Sequence, residues 1–212
     1  MNFLEAIKHY SGQPITRQIL MDLLQEYSRP YDKINELVNQ KILVRVKRGI
    51  FIPGPQAAMP VPEKLLLANH LWGPSYVSSD SALAYWGLIP ERVYETLSMT
   101  TNLAKVYKTP VGRFRYIRLP LPYYSFGIQR VELSSRQMTL MAGKEKALCD
   151  KIITTQRLKL RSVKQTREYL MKDLRISSDT LRELNTGVIS DYLPNAPKED
   201  SLSILIKTLN DL

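Results

Sequence analysis

Residues 16–52 read TRQILMDLLQEYSRPYDKINELVNQKILVRVKRGIFI, and this stretch decides the fold of the amino-terminal part of the chain. Ile19, Leu20, Leu23 and Leu24 fall on one stripe at 3.6 residues per turn, which predicts a short amphipathic helix. The helix has to stop at Ser28-Arg29-Pro30, because the residue before a proline is pushed out of the helical region. Pro30 then suits the first position of a second helix, where its missing N–H costs nothing. That helix buries Ile34, Leu37, Val38 and Ile42, and turns Tyr31, Asp32, Lys33, Asn35, Glu36, Asn39 and Gln40 outward. Asn and Gln can pair with adenine and Lys with guanine in a major groove, so this polar face is a candidate DNA-reading surface. A solvated face on an ordinary helical bundle has the same spacing.

The hairpin that follows shifts the balance toward DNA. In residues 43–52, LVRVKRGIFI, the loop Lys47-Arg48-Gly49 with glycine in the left-handed position sets Val46 opposite Ile50 and Val44 opposite Ile52. Arg45 falls on the other face beside Phe51, and Lys47 and Arg48 project from the tip. No acid occurs between Glu36 and Glu63. Two helices followed by a cationic hairpin form the pattern of a winged helix-turn-helix, with the hairpin as a wing on the phosphates. The candidate contacts are Arg29, Tyr31, Lys33, Asn35 and Asn39 from the helix, with Arg45, Lys47 and Arg48 from the wing.

Charge supports a polyanionic partner and spreads it beyond the wing. Thirty Lys and Arg against 20 Asp and Glu leave a formal +10 in 212 residues, and the pI is near 9.6. Residues 96–131 carry six cations, Lys105, Lys108, Arg113, Arg115, Arg118 and Arg130, and no acid. Either the later part of the chain has its own phosphate-rich ligand or it lies along the same DNA. A lone cysteine, Cys149, excludes an intrachain disulfide and reads as a small core residue. With only His9 and His70 beside it, no metal-ligand spacing can be assembled, and neither a metal nor a cofactor is expected. No run approaches the ~18 apolar residues of a membrane span, and the first residues lack the cationic start of a secretory signal, so the expectation is a cytoplasmic protein without a membrane partner.

Four prolines and a glycine within residues 53–62 predict a stiff, contact-poor linker. The expected division is therefore a DNA-binding domain over 1–58 and a larger mixed α/β domain over 59–212, an α+β chain overall. Helices are predicted over 63–71, 79–85, 144–154, 163–172, 179–185 and 201–212, and strands over 96–101, 114–119 and 128–133.

Within the second domain, Glu63-Lys64-Leu65-Leu66-Leu67-Ala68, Gly73-Pro74-Ser75-Tyr76-Val77-Ser78 and Ser81-Ala82-Leu83-Ala84-Tyr85-Trp86-Gly87-Leu88-Ile89-Pro90-Glu91 resemble the signature of the AbiEi family. These are antitoxins of AbiE abortive-infection (type IV toxin–antitoxin) systems. Residues 98–101, Thr109-Pro110-Val111-Gly112 and Lys144-Glu145-Lys146-Ala147-Leu148-Cys149-Asp150 resemble the family in the same order. The resemblance implies an autorepressor whose winged helix binds inverted repeats in its own promoter. It also implies that the carboxy-terminal domain neutralises a cognate nucleotidyltransferase-like toxin without a stable complex. Lys105, Lys108, Arg113, Arg115, Lys144 and Lys146 are then the cations expected on the antitoxin surface. One departure stands at the late helix, where relatives tend to carry Thr-Pro-Glu-Lys-Ala and this chain reads Ala142-Gly143-Lys144-Glu145-Lys146-Ala147.

The charged residues Lys144, Glu145, Lys146 and Asp150, with Asp80 at another helix start, raise the question of a nuclease-like site. No phosphate-binding loop, nucleophile elbow or polymerase signature accompanies them, and pairing with neighbouring cations accounts for the acids. The expectation is a protein that is not an enzyme. The alternative to an antitoxin is a plain winged-helix repressor whose second domain senses a ligand or dimerises.

Overall fold

The computed structural model describes residues 3–134 and 136–212. It begins with α1 (Phe3–Lys8), β1 (Ile15–Thr16), α2 (Arg17–Leu23), α3 (Pro30–Asn39), β2 (Leu43–Lys47) and β3 (Ile50–Pro53). Thr16 caps α2 by accepting the Ile19 N–H at 3.3 Å, and Pro30 opens α3. The three strands form an antiparallel sheet in the order β1-β3-β2. Phe3, Ile7, Ile15, Leu20, Leu24, Ile34, Leu37, Leu43 and Phe51 close a small core beneath it.

A second, six-stranded mixed sheet runs β6-β7-β5-β4-β9-β8. Its strands are β4 (Ser75–Val77), β5 (Glu95–Thr100), β6 (Lys105–Thr109), β7 (Gly112–Arg118), β8 (Ile128–Ser134) and β9 (Gln137–Ala142). Helices cover both faces. Val77 pairs with Ser98 and Ser98 with Tyr116, so Tyr116 and Tyr76 point to opposite sides. Tyr116 donates to the Ala68 carbonyl of α4 (Lys64–Leu71) at 2.6 Å, and Tyr76 donates to Asp150 of α6 (Lys144–Thr154) at 2.9 Å. Helix α5 (Ser79–Tyr85) lies beside α6. The chain finishes with α7 (Val163–Glu168) and its π-helical continuation Tyr169–Asp173, then α8 (Ser178–Arg182), α9 (Thr186–Tyr192) and α10 (Glu199–Asn210). Lys198, just before α10, donates to the Ile152 and Thr155 carbonyls at 2.9 and 2.7 Å and so satisfies the open end of α6.

The two cores meet at the first hairpin. Strand alternation gives Leu43 and Phe51 to the small core, while Val46 and Ile52 are buried in the large one, with Val44 and Ile50 packed against it. A bulge between Arg45 and Lys47 departs from the expected register, pairing Lys47 rather than Val46 with Ile50. The extra residue turns both Val46 and Lys47 toward the second sheet. Gly49, at φ 84°, makes the turn.

The proline-rich segment, expected to be contact-poor, is bound on both sides. Gly54 and Gln56 donate backbone N–H groups to Ile42 and Lys41 at 2.8 and 3.1 Å, and Gly12 donates to Pro60 at 2.9 Å. A Cβ at Gly54 would stand 2.2 Å from the Lys41 carbonyl oxygen, so only glycine fits this approach. Gln137 ties β9 to the same segment by accepting the Glu63 N–H at 2.8 Å.

Candidate nucleic-acid interface

Helix α3 and the hairpin enclose a cleft of about 410 Å³, lined by Arg17, Tyr31, Ile34, Asn35, Arg45, Arg48, Gly49 and Phe51. The alternation of β2 places Arg45 above the ring of Phe51, with 5.5 Å from the guanidinium carbon to the ring centre. Its Nη2 donates to Asn35 Oδ1 at 2.7 Å. Across the cleft, Arg17 stands 5.9 Å from the ring centre of Tyr31, and its backbone N–H donates to Gly49 at 2.9 Å. Arg48 is exposed at the tip. Three guanidinium groups thus open onto one cleft, two of them over rings.

The cations of α3 are placed differently. Lys33 donates to both oxygens of Glu36 at 2.9 Å and lies 5.6 Å from the Tyr27 ring centre. Gln40 also donates to Glu36, at 2.8 Å. The Lys33 hydrogen bond holds the Glu36 carboxyl below its ordinary range against desolvation, with the Lys33 charge and the Gln40 hydrogen bond adding to it. Arg29 pairs with Asp32 at 2.6 Å, and Asn39 and Tyr31 are exposed. Exposed pairs of this kind hold side chains loosely and contribute little stability.

Lys47, expected at the wing tip, faces inward instead. The bulge directs its ammonium to the Leu71 carbonyl at the end of α4 and to 5.3 Å from the Tyr107 ring centre. Desolvation lowers its pKa. Lys47 therefore fastens the hairpin to the second sheet. Arg17 carries no periodic signal; the Thr16 cap before it was legible, but its position beside Gly49 follows from the pairing of β1 with β3.

The cations expected on the antitoxin surface separate into three environments. Lys105 and Lys108 are exposed on the edge strand β6, with Lys105 near the rings of Trp72 and Tyr107. Arg113 and Arg115 both pair with Glu95, the latter at 2.9 Å, and Lys144 reaches Glu183 at 3.4 Å. Lys146 overturns its assignment, because it is fully buried and cannot be part of a surface. Helix α6 is enclosed on several sides, so the i, i+4 pair Lys146 and Asp150 is carried inward with Leu148, Cys149, Ile152 and Ile153.

There, Asp150 meets the Lys146 ammonium at 3.2 Å and accepts from Tyr76, Ser78 and Tyr123 at 2.9, 2.6 and 2.9 Å. Lys146 also donates to the Tyr123 carbonyl at 3.0 Å and lies 3.3 Å from that residue's ring centre. Burial lowers the Lys146 pKa against the opposing pull of Asp150 and raises the tyrosine hydroxyls. Burial likewise pushes the Cys149 thiol up, away from a reactive thiolate. Asp80 is held by Lys151 at 2.7 Å. Among the described residues, no three of His, Cys, Asp and Glu are grouped to hold a metal ion. No helix among them is long and apolar enough to cross a membrane.

No protein-family model matches the chain, and none of the curated proteins does. Among solved structures it is similar to the crystal structure of the RV2827C protein from Mycobacterium tuberculosis. The TM-score is 0.63 over 97% of this chain and 75% of that one, at 14% identity. Such a likeness shows a shared mixed α+β fold and carries nothing about activity.

Proposed function

We propose that the chain is a DNA-binding autorepressor whose amino-terminal part is a winged helix-turn-helix, and that its larger part is an antitoxin of the AbiEi type. The observation that carries the DNA reading is the cleft between α3 and the hairpin, where Arg17, Arg45 and Arg48 open beside Asn35. The element order α-β-α-α-β-β and the sheet order β1-β3-β2 support the same reading, with α3 as the helix for the major groove. The antitoxin part rests on the resemblance of residues 63–91 and 144–150 to that family.

In this account, α3 enters duplex DNA of the chain's own promoter and Arg48 holds an adjacent phosphate. The second part of the chain counters a nucleotidyltransferase-like toxin. Gel-shift titration of promoter DNA across salt concentrations tests the first half. Binding should weaken as salt rises, with a slope of about −0.9 per phosphate contact. Co-expression with the toxin gene tests the second, and failure to restore growth would remove it.

One observation favours the alternative, a repressor that senses a ligand. A groove of about 800 Å³ lies between the hairpin and the second sheet, walled by Val44, Ile52, Met59, Val61, Pro110 and Val111. A small apolar molecule that releases promoter DNA, in a chain that rescues no toxin, would establish that reading instead.

A further inference from the structure

Recognition of one base pair needs a donor or acceptor held in a fixed orientation, whereas a phosphate contact needs only charge. The cations at α3 are paired locally, Lys33 with both oxygens of Glu36 and Arg29, at the helix cap, with Asp32. Arg45 is placed differently. Its guanidinium stands over the Phe51 ring, itself buried in the small core, and Asn35 takes one Nη2 hydrogen. Two supports from two elements fix the plane of the fork, while the residue stays exposed at the cleft. A planar fork with its remaining hydrogens free matches the O6 and N7 acceptors of guanine in a major groove.

Building on the DNA reading above, we infer that Arg45 reads a guanine base edge, and that Asn35 is the positioning residue that aims it. Arg45 is thereby moved from the phosphate role that its place in a basic hairpin suggests. Asn35 is moved from reading adenine, because its carbonyl oxygen is already given to Arg45. The phosphate role stays with Arg48, which has no such support.

The test uses the full chain and a pool of duplexes with a randomised centre, selected by binding and sequenced. Wild-type protein should recover a motif containing at least one invariant G·C pair. Arg45→Ala removes the fork; it should lower discrimination at that pair by about 5- to 150-fold and leave the salt slope unchanged. Asn35→Ala should blur the same pair with an equally unchanged slope, which a role confined to stability would not do. Arg48→Ala should weaken all sequences alike and reduce the slope by about 0.9. An intact guanine preference in Arg45→Ala, with or without a reduced slope, makes Arg45 at most a phosphate contact and overturns the inference. A wild-type protein that binds the pool without selecting any motif overturns it too, while the DNA reading survives. Absence of binding to the pool removes both. All three variants lie at exposed positions, and a melting curve matching wild type checks that they are folded.

Discussion

Lys146 carries its charge where water does not reach it, and among the described residues Asp150, the Tyr123 carbonyl and a face of tyrosines compensate. Taking away one partner leaves the other ion without compensation, which costs about 3–5 kcal/mol in buried pairs. Asp150→Ala is expected to lose stability of that order in urea denaturation, while the double change Lys146→Met, Asp150→Leu loses much less. Equal losses in the two proteins would show that packing rather than charge pairing dominates. This pair marks where reading by residue type failed. Lys146 closes a run of charges, Lys144-Glu145-Lys146, that has the composition of a solvated face, and Asp150 follows one turn later. Their inward direction is set by Tyr76, Ser78 and Tyr123, which lie far away in the chain. Cys149, judged on its own apolar character, was legible as a core residue and is fully buried.

At the scale of elements, α2, α3 and the hairpin were legible because period, cap and turn agree: stripes at 3.6, Thr16 and Pro30 at helix starts, Gly49 at the turn. Strands β4 and β6 carried no usable signal. The first has three residues, and the second is an edge strand that shows Lys105, Val106 and Lys108 to solvent. Helices α1 and α9, six and seven residues long, are held by tertiary packing rather than by pattern. The bulge after Arg45 was equally silent, since nothing in Val46-Lys47 announces which residue leaves the ladder. It separates two neighbouring cations by role. Lys47→Ala is expected to lower the melting temperature by loosening the hairpin from α4 and Tyr107, and to leave the salt slope of DNA binding unchanged. A slope that falls by about 0.9 in Lys47→Ala would place its ammonium on a phosphate instead.

Taken as a whole, the chain joins its two cores through the hairpin and the proline-rich segment more tightly than proline content alone suggests. A fragment starting at Met59 loses Val44, Val46, Ile50 and Ile52 from the large core and bares the apolar surface they cover. It is expected to melt below the full chain and to associate at high concentration, read by calorimetry and light scattering. A fragment that melts with the full chain and stays monomeric would show that this contact contributes nothing. The division near residue 58 follows the sequence composition, whereas burial places the seam along the hairpin. A sequence shows where proline makes a chain stiff, but not which distant surface a strand will cover. Successive hairpin residues answer to different cores: Leu43 and Phe51 to one, Val44, Val46 and Ile52 to the other. Insertion or deletion of a single residue between them would exchange both allegiances at once, so this hairpin can drift by substitution but not by a change of length.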